Sequence, residues 1–465
     1  MGAIHWIWAG GALGGWNLPS GLPAPHLMAA PLPGVIAHPV SHPFEVAALV
    51  LGGLLAMGAW LSGLARRSFV SLTAAFVLAG LLLGPGVTGV VRFDTRSGFV
   101  GQLATVALIV ILFGDGLEVD GELLQSHWAL PLRKLVLAMP LTAAIVALAT
   151  RLLTGMSWTE SLLVGALLSP TDPVLSSSVV TNPRVPAVIR HSLNLESGLN
   201  DGLALPAVLA LGSALAIGGG RFVWWRFVLE NVVLGFAAGI AVGLAAALLA
   251  PRAADDAAGI PGHQRALFAL GAAFAAYGLA VLTPQGNGLI ATYVAAITLG
   301  IRRPDIGREF ARHAAALVSI VKLGIFVVFG ALLTLGGLAH GGWAAVGVAA
   351  VTLLVARPAA VFAALAGTDT DRATKAFMGW FGPRGVATMT FSLLVLGQQI
   401  ASARRIFDLA ALTVFCSILA HGATDTAGVE WIAARARPPA PAGREPSAVK
   451  PGSGTDRRRP PRTKP

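Results

Sequence analysis

The stretch NLESGLNDGLALP, Asn194–Pro206, puts Asn194, Glu196, Ser197, Asn200 and Asp201 at the start of an otherwise apolar run. On a helix turning about 100° per residue, Ser197 and Asp201 lie one turn apart on a shared face, with Asn194 two turns before Asp201. Glu196 points about 140° away from Asp201 around the axis. The two carboxylates therefore meet different neighbours, so one can bind a substrate while the other is locked in an ion pair. Arg357, in LLVARPAAVFAAL, is the natural partner for Glu196. Asp201 is left with Ser197 and Asn200 beside it, and Thr171, in LLSPTDPVLSS, has a carbonyl to offer. Carboxylate, hydroxyl and carbonyl are hard oxygen ligands that suit hard cations. One buried carboxylate with few neutral oxygens suits a monovalent ion better than a divalent one. Desolvation favours the protonated form of a carboxylate and a bound cation favours the ionised one. The expectation is that Asp201 takes either a proton or a metal ion, but not both.

The elements that must position these groups are interrupted helices. Pro170 and Pro173 each remove a backbone donor and clash with the preceding turn, which should open the chain around Thr171 and Asp172. In GWFGPRGVATM, Gly382, Pro383 and Gly385 break a second helix around Arg384. Within a bilayer, opened backbone is tolerated only where protein or a wet cavity satisfies it. Helix ends carry partial charges. Asp172 is expected to neutralise N-terminal ends and Arg384 C-terminal ends, a structural role rather than ligation.

A bilayer is the setting because composition leaves little else. Of 465 residues, 55% are hydrophobic and 12% charged, against roughly a quarter charged in soluble domains. Apolar runs near 20 residues recur, the length that spans a ~30 Å hydrocarbon core as a helix. Barrel strands would alternate instead. The fold class is therefore an all-α polytopic membrane protein with about 13 transmembrane helices. The predicted spans are 44–64, 69–91, 98–117, 135–154, 158–181, 191–217, 227–250, 266–283, 288–301, 315–335, 343–365, 376–396 and 409–432. The 288–301 run is short for a full crossing. The interrupted spans are the fifth and the twelfth, an odd offset that places them in opposite orientations. That pattern marks two inverted repeats whose broken helices cross at the membrane midplane. The repeats run from about 44 to 217 and from about 266 to 432, with 227–250 as a linker helix, inside a transmembrane domain 44–433.

Flanking this domain, 1–43 lacks a basic n-region and reads as an extra-cytoplasmic or interfacial leader, or as a misassigned start. Residues 434–465 are rich in proline and basic types and are expected to form a disordered cytoplasmic tail. With the N-terminus outside, Lys and Arg in the inside connections, Lys134 among them, outnumber those outside two to one. The net charge of +11 thus needs no nucleic acid. The single cysteine, Cys416, excludes an intrachain disulfide and a Cys-based zinc site, and reads as a buried thiol. Lys322, Arg357 and Arg384 are the bases left within spans. Among the acids, Asp115, Asp172, Glu196 and Asp201 stand out, while Glu160 and Glu230 fall near span ends as interfacial acids. Charges at mid-bilayer depth cost at least ~2.5 kcal/mol each, so they pair or line an ion path.

SPTDPV, NLESGLNDG, ARP and GWFGPRG, in this order, resemble the NhaP/NHE-type monovalent cation:proton antiporters of the sodium/hydrogen exchanger superfamily. The resemblance implies a homodimer in a prokaryotic plasma (inner) membrane, with a dimerisation domain and a moving six-helix core. It implies no cofactor, and Na⁺, K⁺ or Li⁺ exchanged for protons. By motif, Asp201 resembles the shared ion- and proton-binding aspartate, and Asn200 the asparagine of the electroneutral branch. Ser197 and the Thr171 carbonyl resemble ion ligands, and Glu196 with Arg357 the structural pair. The chain departs from the pattern at ILFGDGLEVD, where the family often has Phe-Glu-x-Gly: either Asp115 supplies that acid one residue late, or the site lacks it. Lys322 carries three readings: snorkelling, balancing Asp115, or altering coupling. An intramembrane aspartyl protease is the weaker enzyme reading, since neither Tyr277 nor Tyr293 precedes Asp. A channel or uniporter would need a continuous pore rather than one acid beside a pair of broken helices.

Overall fold

The computed structural model describes residues 52, 53, 56, 72–93, 98–119, 129–172, 177–216, 222–251, 259–282, 286–398 and 400–435. The leader, Pro173, most of the first predicted span and the tail from 436 lie outside the described residues. The described chain is helical, without strands. In order, the helices are α1 (Leu72–Leu83), α2 (Phe99–Leu117), α3 (Ala129–Thr154), α4 (Trp158–Leu167), α5 (Ser177–Thr181), α6 (Ala187–Leu215), α7 (Trp224–Leu249) and α8 (Gly262–Leu282). They continue as α9 (Gly288–Arg302), α10 (Pro304–His313), α11 (Ala315–Leu332), α12 (Leu335–His340), α13 (Gly342–Ala364), α14 (Arg372–Trp380), α15 (Val386–Leu396) and α16 (Ala403–Ala433). Among the described residues, eight helices are long and apolar enough to cross a membrane by length and composition.

Each predicted span from 69 onward contains helix, and the two expected interruptions are present. The first stretch leaves helix after Leu167, with 168–172 outside helix, and Ser177–Thr181 is helical; the second leaves helix after Trp380 and resumes at Val386. Start signals are local. Ser157 and Glu160 form a reciprocal capping box at α4, with the Ser157 N–H donating to Glu160 Oε2 at 2.7 Å. Glu160 is thus a cap rather than a bare interfacial acid. Glu230 pairs with Arg226 one turn earlier, at 2.7 Å. Cys416 is half-buried, more open than its apolar surroundings suggest.

The helices pack as two sets of neighbours. One set joins α1, α2 and α7–α11, and the other α3–α6 with α13–α16; α2 and α11 meet α15 between them. Short α9 is buried along most of its length against α2, α7 and α8, which explains why so few residues suffice. Its corner with α10 is held by Asp305, which accepts from Arg303 at 2.9 Å and also pairs with the buried Arg265 of α8. The Arg303 guanidinium holds the Asp305 carboxyl below the usual carboxylate range.

Close approach of α7 to α9 depends on glycine. A Cβ at Gly239 would lie 2.6 Å from the Ala291 carbonyl oxygen, and one at Gly243 2.7 Å from that of Ala295. Small residues at such crossings let helices pack where no water-driven force joins them. Gly239→Leu is expected to lower stability by about 1–3 kcal/mol or more through overpacking. Gly271→Leu, at a position open to its surroundings, should stay within about 0.5 kcal/mol of the parent. Thermal unfolding of the detergent-solubilised proteins compares the two; equal losses would contradict the packing argument.

Candidate functional site

Glu196 of α6 is fully engaged. Arg357 Nη1 donates to its Oε1 at 2.8 Å and Nη2 to its Oε2 at 3.2 Å, a bidentate pair. The structure adds a partner that the sequence reading had placed in a cytoplasmic connection. Lys134 Nζ donates to the same Oε2 at 2.6 Å and to the Ser192 carbonyl at 3.3 Å. Lys134 is completely buried, because α3 begins at Ala129 and carries it into the second turn. Removing it from the inside tally leaves the basic residues still close to two to one. Both cations sit at π-helical segments. Lys134 opens Lys134–Ala138, and Arg357 directly follows Val351–Ala356. Such i→i+5 turns re-aim side chains and gather at functional positions.

The two helix interruptions meet face to face. Asp172 N–H donates to the Pro383 carbonyl at 2.9 Å, and the Val386 N–H at the start of α15 donates to Asp172 Oδ2 at 3.0 Å. In return, Arg384 Nη1 donates to the carbonyls of Ser169 at 2.9 Å and Pro170 at 3.1 Å, just past the end of α4. Thr388 Oγ1 adds a bond to the Leu167 carbonyl at 2.9 Å. Each charge therefore sits at the helix end of opposite partial charge. A Cβ at Gly385 would run into the Asp172 carboxylate, so glycine is required there. Helix α16 holds the second interruption from behind. The Arg384 N–H donates to Ser417 Oγ at 2.9 Å, and His421 lies 2.9 Å from the Trp380 carbonyl through Nε2. No sequence pattern singled out Ser417 or His421, which sit in an apolar run.

Beside this crossing stands Asp201, buried in α6, with no hydrogen-bond partner for Oδ1 among the described residues. Its neighbour Asn200 donates from Nδ2 to the Thr171 carbonyl at 2.6 Å and lies 3.2 Å from Thr171 Oγ1. The Asn200 Oδ1 is likewise buried without a partner. Ser197, one turn before Asp201, is half-buried. Asp115 and Lys322 complete the surroundings, with Lys322 Nζ 3.8 Å from Asp115 Oδ1. Asp115, Asp172 and Lys322 all lie within electrostatic reach of Asp201. Tyr293 of α9, which enters the sequence reading only in weighing a protease, donates to the Gly198 carbonyl at 3.0 Å and packs on Gly202. The structure thus gathers Asp201, Asn200 and Thr171 at the crossing and sets Glu196 and Arg357 apart with Lys134. No group of three metal-ligating side chains occurs among the described residues.

The family model described as "Sodium/hydrogen exchanger, transmembrane" matches residues 53–431. The chain belongs to the sodium/hydrogen exchanger family. It is 24% identical over 391 residues to the K⁺/H⁺ antiporter NhaP of Alkalimonas amylolytica, covering 83% of this chain and 66% of that protein. It is 24% identical over 384 residues to the K⁺/H⁺ antiporter NhaP2 of Shewanella oneidensis, covering 81% and 65%. The chain thus spans slightly under two thirds of the length of these relatives. The fold matches the sodium proton antiporter MjNhaP1 of Methanocaldococcus jannaschii with a TM-score of 0.72 at 18% identity, covering 84% of this chain and 99% of that one. Exchanger family membership and the helical fold therefore agree with the motif-level resemblance.

Deleting Glu196 leaves two buried cations facing each other, whereas deleting Lys134 leaves the bidentate Arg357 pair in place. Glu196→Ala is expected to cost about 3–5 kcal/mol of stability, the range for stranding buried charge, and Lys134→Met distinctly less. Melting temperatures in detergent read both. A Glu196→Ala protein as stable as the parent, or a reversed order, would show that the trio does not hold the fold.

Proposed function

We propose that the chain is a secondary active transporter, not an enzyme, that exchanges Na⁺, K⁺ or Li⁺ for protons by alternating access. Cation and proton compete for Asp201. The observation that carries this reading is the contrast within one helix. Glu196 has both oxygens bonded to cations, while Asp201 Oδ1 is buried and unpartnered beside two interrupted helices. A buried carboxylate with a vacant lone pair gains from either a proton or a small cation. Ser197 and the second lone pair of the Thr171 carbonyl are the further oxygens offered to the ion.

The two interruptions belong to inverted repeats, about 44–217 and 266–432, joined by the linker helix 227–250. The π segments in α3 and α13 support this, because they occupy the fourth and eleventh spans, the same offset of seven. The protein works as a homodimer in a prokaryotic plasma (inner) membrane, with the N-terminal leader outside and the 434–465 tail in the cytoplasm. The α3–α6 and α13–α16 set moves as the core. Asn200 in place of a second acid makes the exchange one for one and electroneutral.

The test is transport in proteoliposomes carrying a pH gradient, with Na⁺, Li⁺, K⁺ and Ca²⁺ added in turn. Monovalent cations are expected to dissipate the gradient, at a rate indifferent to imposed membrane voltage. Asp201→Asn is expected to abolish exchange while the protein elutes and melts like the parent. Proton movement with none of the monovalent ions, or an unchanged rate in Asp201→Asn, would overturn the reading; a voltage-dependent rate would overturn the stoichiometry.

A further inference from the structure

Asp201 is not the sole acid near the crossing. Asp115, on α2, faces the same region, and its carbonyl oxygen lies 3.6 Å from where a Cβ of Gly198 would sit, one turn before Asp201. Two free carboxylates here would form a site suited to a divalent cation, or one holding two exchangeable charges. The remaining charges near the crossing are committed. Asp172 binds the α15 N-terminus, Arg384 the carbonyls past α4, and Lys134 and Arg357 hold Glu196. Glu118, at the end of α2, is exposed and screened by solvent.

Among the described residues, Lys322 of α11 is the cation that remains, and the register of α2 against α11 aims it at Asp115. Gly114 lies alongside α11: a Cβ there would make ordinary contact, 3.9 Å from Val318 Cγ2 and 3.6 Å from the Phe310 ring of α10. Lys322 is one turn beyond Val318, with Nζ 3.8 Å from Asp115 Oδ1, an ion pair without a hydrogen bond. Lys322 is three-quarters or more buried, at 19% side-chain exposure, so solvent does not supply the counter-charge in its place.

We propose that Lys322 determines the charge specificity of the exchange site: its ammonium neutralises Asp115, which leaves Asp201 as the single exchangeable charge and keeps divalent cations out. This rests on the exchange reading above and deepens it. With the pair intact, the site swaps one monovalent cation for one proton. With Lys322 lost, Asp115 becomes a second acid facing the same ion. With Asp115 lost, an unbalanced ammonium repels the cation from Asp201.

Four proteins in proteoliposomes test this: the parent, Lys322→Gln, Asp115→Asn and the double variant. In Lys322→Gln, Ca²⁺ should inhibit Na⁺-driven proton movement at a concentration at least about tenfold lower than in the parent. In Asp115→Asn, the apparent Na⁺ affinity should fall at least about tenfold, as one unit charge produces across such a site at an effective dielectric of about 20. The double variant, electrically equal to the parent, should return both quantities to within about threefold. Lys322→Arg, which keeps the charge, should behave as the parent even where Lys322→Gln folds poorly. A double variant as impaired as Asp115→Asn, parental Ca²⁺ sensitivity in Lys322→Gln, or a Lys322→Arg protein with the Gln phenotype would each overturn the proposal. A parent that exchanges no monovalent cation would instead overturn the exchange reading. Na⁺- and Ca²⁺-dependent shifts in melting temperature of the same proteins in detergent would then read the affinities without transport.

Discussion

In a bilayer core no water is at hand to satisfy a helix that stops, so two broken helices must complete each other or not exist. Here the completion is reciprocal. Asp172, from the first interruption, accepts from the N–H that opens α15. Arg384, from the second, donates to the carbonyls that close α4. Each side chain replaces both the lost hydrogen bond and the charge of the opposing helix end. Beside that arrangement the Thr171 carbonyl accepts from Asn200 of α6. The carbonyl that holds Asn200, next to Asp201, is thus a consequence of the crossing rather than an addition to it. The same dependence explains the glycine at 385, where any side chain would displace the Asp172 carboxylate from the helix it caps.

The second constraint is electrical. Glu196, five residues before Asp201, would be a second unpaired buried carboxylate if it were free. Two cations from different helices hold it instead, and both come from places where a helix widens into a π turn. Removing Glu196 leaves two buried cations facing each other, so the trio is costly to break at its centre even if it adds little net stability. Its use is positional. It fixes the rotation of α6, and because Glu196 and Asp201 diverge around that helix, fixing one aims the other. Tyr293 restrains the same helix from the opposite set of neighbours through the Gly198 carbonyl.

Most of the helical order was legible in the sequence because apolar runs, prolines and glycines act locally. The interruptions at SPTDP and FGPRG, the divergence of Glu196 from Asp201 and the pairing of Glu196 with Arg357 all follow from short-range geometry. What was not legible depends on where a helix begins and on contacts across the fold. Lys134 sat one residue outside a predicted span that starts at 135; the helix starts at Ala129, and that shift carries the lysine from a presumed connection into the core. Depth alone makes Glu160 an interfacial acid, whereas Ser157 three residues earlier carries the capping signature. Tyr293, Ser417 and His421 give no local signal, since their partners lie on other helices. Lys322 stands out in the sequence as a charge out of place, but only the register of α11 on α2 selects its partner among several acids.

Asn200 joins the structural and the functional arguments. Its amide donates to the Thr171 carbonyl at 2.6 Å and so ties α6 to the opened stretch. An ionised aspartate at that position has no proton to give. It would lose the bond and set a second negative charge next to Asp201. The same substitution would therefore change two things together: how firmly the opened backbone is held, and how many charges the site carries. One amide thus ties the Thr171 carbonyl to α6 and leaves Asp201 as the single acid of the two adjacent positions. In this chain the charge count of the site and the geometry of the crossing cannot be altered independently at residue 200.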